Sequence, residues 1–316
     1  MATRRVATVI GGSGFLGRHV VQRLAEDGYV VRVVGRRADR AAALRPLGDV
    51  GQIVPLGASI LDEAALVPVM EGASLVVNLV GILRPQGRGG RGQGRRQADF
   101  SAIHVEAAGR VARLAASAGV ARMVHVSAIG ASARSPSAYG RSKAAGEDAV
   151  LRDQPRATIV RPSLIFGAGD HFLTLFAAMA RYSPVVPVYG AATRVQPVHV
   201  ADVAEAIRRI LASDGHQGEI YELAGPRVWT MEALIRWVVA FIGRRRLVFA
   251  MPRALAYWQA LLLENLPGHL LTRDQLAMLS VDNVAQDGMR GLGTLGIDPV
   301  PVEMIAPTYL ARYKIT

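Results

Sequence analysis

Tyr139 and Lys143 stand four residues apart in the run Ser137-Ala-Tyr-Gly-Arg-Ser-Lys143. On a helix that step puts both side chains on one face. An ammonium beside a phenol lowers the phenol's pKa from about 10 toward working pH, which suits a tyrosine acting as general acid and base. The lysine is set apart by composition as well. Of 37 basic residues, 35 are arginine, and the other lysine is Lys314. An ammonium is compact enough to fit between a sugar's hydroxyls and a phenol, where a planar guanidinium is too broad. Twelve residues before Tyr139, Ser127 closes the apolar run Met123-Val-His-Val-Ser and is placed to hold a carbonyl beside the phenol.

These residues need a scaffold, and the N-terminal pattern supplies one. Val6-Ala-Thr-Val-Ile10 reads as a fully buried strand and runs into Gly11-Gly-Ser-Gly14-Phe-Leu-Gly17, followed by an amphipathic helical segment ending near Asp27. In a strand-turn-helix unit, Gly11 and Gly14 let the backbone turn and approach a pyrophosphate at the helix N-terminus, and Gly17 lets the helix pack closely on the sheet. A second strand, Val30 to Val34, should end at the adenosine ribose. An acid there would accept from a ribose 2′-hydroxyl, but the chain has Gly35-Arg36-Arg37. Two guanidiniums match a 2′-phosphate in charge and geometry, so NADPH is the expected cofactor, with NAD as the alternative.

Further strand candidates at Ile53-Val-Pro-Leu56, Leu75 to Leu79, Met123 to Ser127 and Thr158 to Arg161 alternate with helical patterns. This alternation argues for an α/β fold with a doubly wound parallel sheet. After about Pro162 the pattern changes to longer helices with proline-rich joints such as Tyr182-Ser-Pro-Val-Val-Pro187. The expected division is a dinucleotide-binding domain over 1–162 and a smaller, mostly helical substrate or partner region over 163–316, which returns a strand to the sheet near 219–223. Asp202 is expected to N-cap a helix.

The glycine spacing, the Ser127, Tyr139 and Lys143 set and Arg161-Pro-Ser-Leu-Ile-Phe-Gly167 resemble the extended branch of the short-chain dehydrogenase/reductase superfamily. Over nearly the whole length, the chain is similar to the nucleotide-binding accessory subunits of respiratory complex I and their alphaproteobacterial relatives. That likeness rests on Asn78-Leu-Val-Gly-Ile-Leu83, His125-Val-Ser-Ala-Ile-Gly130, Gln196-Pro-Val-His-Val-Ala-Asp-Val-Ala204 and Tyr221-Glu-Leu-Ala-Gly-Pro226. It continues through Leu271-Thr-Arg-Asp-Gln275 and Pro307-Thr-Tyr-Leu-Ala-Arg-Tyr313. The resemblance implies a Rossmann fold and catalytic-type residues Ser127, Tyr139 and Lys143. It implies a cofactor site of Gly11, Ser13, Gly14, Phe15, Leu16, Gly17, Arg36, Arg37, Ser59, Leu79, Val80, Gly81, Tyr139, Lys143 and Pro162. It also implies NADPH held structurally among complex I subunits, with an active NAD(P)-dependent epimerase, dehydratase or reductase as the other reading. No metal site is expected.

The rest of the composition bounds the partners. The chain of 316 residues has no cysteine, which excludes disulfides and thiolate metal sites and suits a reducing compartment. No apolar run reaches the ~20 residues of a membrane span, and a strand beginning at Val6 leaves no room for a targeting peptide. A net charge of +12 favours acidic partners. Arg84 to Arg96 carries five arginines, five glycines and no apolar residue, and reads as a solvated insertion near the cofactor mouth. It has no aromatic residue to stack on bases, so nucleic acid is not the expected partner. The segment Ala254-Leu-Ala-Tyr-Trp-Gln-Ala-Leu-Leu-Leu263 is more apolar than packing in one groove needs. It suggests a subunit or membrane-surface contact. Together with the basic charge, the resemblance to complex I subunits implies a peripheral location on the cytoplasmic face of the inner membrane.

Overall fold

The computed structural model describes residues 5–84, 99–263 and 272–314. The arginine-glycine segment beyond Arg84 and the stretch 264–271 lie outside the described residues.

Valine and isoleucine runs form six parallel strands: β1 (Val6–Ile10), β2 (Val30–Gly35), β3 (Ile53–Gly57), β4 (Ala73–Asn78), β5 (Arg122–Val126) and β6 (Thr158–Pro162). Four short strands follow, β7 (Ile165–Phe166), β8 (Val185–Val188), β9 (Arg194–Val195) and β10 (Val198–His199), and then β11 (Ile220–Leu223). The seven-stranded sheet has the order β11-β6-β5-β4-β1-β2-β3. The order reverses beside β1, and this reversal opens the crevice in which an α/β sheet binds ligands. Pro55 sits within β3, where the missing N–H costs little because β3 is the sheet edge.

Helices cover both faces because side chains alternate along each strand. On one face, α1 (Phe15–Glu26) and α7 (Val200–Ala212) bury Val20, Val21, Leu24, Val203 and Ile207 against Ala7, Val9, Val31 and Val124. On the other, α3 (Glu63–Met70), α4 (Ala107–Ser117) and α5 (Ala138–Asp153) pack on Ile10, Val34, Val76, Met123 and Ile159. A short helix α2 (Ala38–Ala42) follows β2.

The remainder encloses a third core built on α6 (Phe172–Tyr182), β12 (Trp229–Thr230), α8 (Met231–Phe241), β13 (Leu247–Ala250) and α11 (Val302–Leu310). Between β13 and α11 lie α9 (Arg253–Leu263) and α10 (Arg273–Met278).

Two expectations are corrected here. Tyr182 to Pro187 is not simply a joint: Val185–Val188 pairs in parallel with β13, and Pro187 fits because the sheet has only two strands. Asp202 does not cap its helix. It lies in the first turn of α7, three residues past the N-cap His199, and its carboxylate accepts the Val300 N–H at 2.8 Å, tying the C-terminal segment to the sheet's helical layer.

Candidate functional site

The turn after β1 has the shape the glycines foretell. Gly11 has φ of +81°, which a side chain would strain, and its N–H donates to the Val34 carbonyl at 2.8 Å. A Cβ on Gly17 would lie 2.5 Å from the carbonyl oxygens of both Gly11 and Gly12, so the helix can approach the turn this closely only with glycine there. Gly14 stands at the N-cap of α1 with no side-chain cap, and no acid occupies the helix's first turn. A helix N-terminus left in this form favours an anion such as a pyrophosphate. The residues present therefore fit a dinucleotide. Phe15 and Leu16 open the helix, and Ser13 lies beside the end of β2, its Oγ 3.6 Å from where a Gly35 Cβ would stand.

Arg36 and Arg37 follow that strand and are exposed. The Arg37 guanidinium already holds Asp39, with contacts of 3.2 and 2.6 Å, and this pairing holds the Asp39 carboxyl below its usual range. The sequence reading found no acid at 35–37. Two residues on, Asp39 competes for one of the two forks. Ser59 sits past β3, where its Oγ accepts the Leu61 N–H at 3.3 Å.

Leu79, Val80 and Gly81 leave β4 toward the same crevice. The Leu79 N–H reaches the Ile10 carbonyl at 2.9 Å, and Val80 lies against Gly11. Gly81 faces Lys143, with Nζ 3.9 Å from where its Cβ would be. Pro162 ends β6 and accepts the Ile129 N–H at 3.0 Å. The expected site residues thus come from two sources: the carboxyl ends of β1 to β6 with the segments that follow them, and the helices α1 and α5. The Tyr139 and Lys143 end lies beside β4 and β5, and the arginines lie beyond β2.

Ser127, Tyr139 and Lys143 share the crevice, but no hydrogen bond joins them to one another among the described residues. Lys143 is buried, and its Nζ donates to the Val126 carbonyl at 2.8 Å. Ser127 Oγ is buried and has no partner. Loss of solvent dominates both titrations: burial pushes the Tyr139 phenol up to about 12 and the Lys143 ammonium down to about 8. The expectation that the ammonium lowers the phenol is corrected accordingly. Spacing predicts the shared face but carries no information about desolvation.

Sequence reasoning missed a second network behind Tyr139. A π-helical turn, Ser101–Glu106, carries His104 into the site, its ring edge-on to Tyr139 at 5.5 Å and stacked on Phe100 at 5.4 Å. His104 Nε2 accepts the Ile82 N–H at 3.0 Å, so the proton sits on Nδ1, which donates to Ser142 Oγ at 2.8 Å. Ser142 in turn donates to the Tyr139 carbonyl at 2.7 Å. On the other side, Asn78 donates to His125 Nδ1 at 3.2 Å and accepts the Val80 N–H at 3.2 Å, fixing the strand end beside the cofactor turn. A lone histidine in an apolar run gives no sequence signal for such a role. The π turn that aims His104 has no readable period.

Burial lowers His104 to about 3, with the Lys143 charge adding to the effect, lowers His19 to about 4 and places His125 well below 6.5. The linkage has one sign for all three. Above pH 6.5 neither state is protonated and the full stability is present; as pH falls through 6.5, only the unfolded chain gains protons. Denaturant midpoints should therefore fall steadily from pH 7 to pH 4. His104→Gln, which keeps an acceptor for Ile82, should flatten that slope, and an unchanged slope would remove His104 from this account.

The chain matches the family model described as NAD dependent epimerase/dehydratase family over residues 7–224. It is similar to NADH dehydrogenase (ubiquinone) 1 alpha subcomplex subunit 9, mitochondrial, in Dictyostelium discoideum and Arabidopsis thaliana. Identity to the first is 36% over 75% of this chain and 64% of that protein. Identity to the second is 33% over 98% of this chain and 78% of that protein. A ceramide reductase of Caulobacter vibrioides is 37% identical over 65% of this chain and 61% of its own. Among solved structures, an NADPH-dependent quinone oxidoreductase from Escherichia coli, complexed with NADPH, superposes with a TM-score of 0.71. It is 21% identical and covers 97% of this chain and 98% of its own, a likeness of fold.

Proposed function

Since the chain belongs to the NAD dependent epimerase/dehydratase family, we propose that it is an accessory subunit of NADH:ubiquinone oxidoreductase (complex I) that holds NADPH as a structural element. The observation that carries the subunit reading is the extent of the likeness. It runs over 98% of this chain to the Arabidopsis subunit and so includes the C-terminal part beyond residue 224, which the family model does not reach. For the cofactor, Gly11 and Gly17 leave room for a pyrophosphate at α1. In this reading Tyr139 and Lys143 hold the nicotinamide ribose, and Arg36 and Arg37 meet the 2′-phosphate. Bound there, the nicotinamide would supply or accept hydride. Holding rather than turning over the cofactor is supported by the likeness to proteins that are named as complex I subunits.

The partner surface in this reading is α9. Leu255, Tyr257 and Trp258 are exposed along one short helix, Trp258 the most at 64%. No described helix is long and apolar enough to cross a membrane. We place the chain at the cytoplasmic face of the inner membrane, docked through α9 to another subunit and aided by its +12 charge at an anionic lipid surface.

Native membranes test both halves. After a wash at 1 M salt, where exposed charges are screened beyond ~3 Å, detergent extraction and size separation should return the chain with respiratory subunits and a bound dinucleotide. Recovery as a free protein that reduces a carbonyl or sugar-nucleotide substrate would instead establish the second reading, an active oxidoreductase working through Ser127, Tyr139 and Lys143. The ceramide reductase likeness and the intact side-chain set favour that alternative.

A further inference from the structure

Asp274 lies 135 residues beyond Tyr139 and bonds its backbone. The carboxylate accepts the Ala138 N–H at 2.5 Å and the Tyr139 N–H at 3.2 Å. These are the first two amides of α5, and a helix leaves its first-turn N–H groups without intrahelical partners. Ser137, the N-cap, takes only the next, Gly140, at 2.9 Å. The first turn of α5 is therefore closed by its own cap and by an anion from the far end of the chain. Asp274 is itself held firmly. It sits in the first turn of α10, behind a capping box in which Gln275 N–H reaches Thr272 Oγ1 at 3.2 Å and Thr272 N–H reaches Gln275 Oε1 at 2.9 Å. Helix α10 packs on both α5 and α9.

We infer that Asp274 is a positioning residue, which fixes the first turn of α5 and with it the placing of Tyr139 against the nicotinamide half of the cofactor. One carboxylate spanning two consecutive amides sets both the height and the tilt of that turn, which a single hydroxyl cap does not. It also makes the cleft depend on α9 and α10, the part of the chain that carries the exposed aromatic residues. The part concerning nicotinamide rests on the cofactor reading above.

The test has two arms, chosen so that the two ideas fail separately. In the cofactor-free chain, hydrogen exchange at Ala138 and Tyr139 should quicken about tenfold in Asp274→Ala, the loss of one ordinary hydrogen bond, while Gly140 keeps its protection. Asp274→Glu should restore part of it. Unchanged exchange at both amides overturns the tether. The second arm compares NADPH with 2′,5′-ADP, which carries only the adenosine half. Asp274→Ala should weaken NADPH about tenfold and leave 2′,5′-ADP unchanged, whereas general loosening of the fold would weaken both. Faster exchange with undiminished NADPH affinity would reduce Asp274 to a cap that positions nothing, and overturns the inference. If the unmodified chain binds no NADPH, it is the cofactor reading that falls, and the exchange arm still decides the tether.

Discussion

Replacing Arg161 with methionine should cost the fold about 3–5 kcal/mol, the usual result of removing one partner from a buried ion pair. Arg161 grips Glu147 with two contacts, 2.9 and 2.6 Å, and reaches Glu222 at 3.5 Å. The carboxylate side chains of Glu147 and Glu222 are 5% and 2% exposed. Glu222 lies directly opposite Arg161 across the β6 and β11 pairing, and Glu147 belongs to α5, one turn past Lys143. Removal of the guanidinium leaves two carboxylates facing each other out of water, a loss comparable with much of a typical domain's ~5–15 kcal/mol margin. Discharging all three positions together, as Glu147→Leu, Arg161→Met and Glu222→Gln, should recover most of that loss, since an ion cluster and a packed apolar one often break even. Urea denaturation of the single and triple variants decides the matter. A single variant as stable as the parent would mean that water reaches the cluster.

Changing Arg36 and Arg37 together to alanine should reduce NADPH affinity on the order of 10- to 100-fold while leaving NADH nearly unaffected, as expected when charge-assisted phosphate contacts are lost. Both residues follow Gly35 at the end of β2. The Arg37–Asp39 pair adds a second expectation. Asp39→Asn should tighten NADPH binding, because the Arg37 fork no longer has to leave a carboxylate to meet the phosphate. Calorimetric titration with both cofactors measures the preference directly. Equal affinity for NADPH and NADH in the unmodified chain would sink the phosphate reading.

How much of this was legible in the sequence follows from what each feature depends on. The parallel strands were read to within two residues because buried runs of valine and isoleucine bounded by glycine form strands almost wherever they occur. The cofactor turn was legible because glycine spacing encodes backbone shape: Gly11 has positive φ and Gly17 has no space for a Cβ. The short strands Ile165–Phe166 and Trp229–Thr230 were not, since two residues carry no period. His104 depends on a π turn, and Asp274 on a contact made across 135 positions, neither of which local pattern can express. The phenol was misjudged for a different reason. Charge proximity can be inferred from i to i+4 spacing, but the amount of water excluded depends on walls supplied from elsewhere in the chain, Phe100 and His104 among them.

Strand β11 completes the sheet late. Its partner β6 ends at Pro162, and roughly 60 residues of chain separate it from Ile220. At ribosomal speeds of about 5–20 residues per second, that gap lasts roughly 3–12 s. Throughout this interval a nascent chain can already hold six assembled strands and present β6 as an unpaired edge, a template on which a neighbouring chain on the same polysome can add a strand. A chain that stops before Leu223 therefore keeps β6 as an unpaired edge.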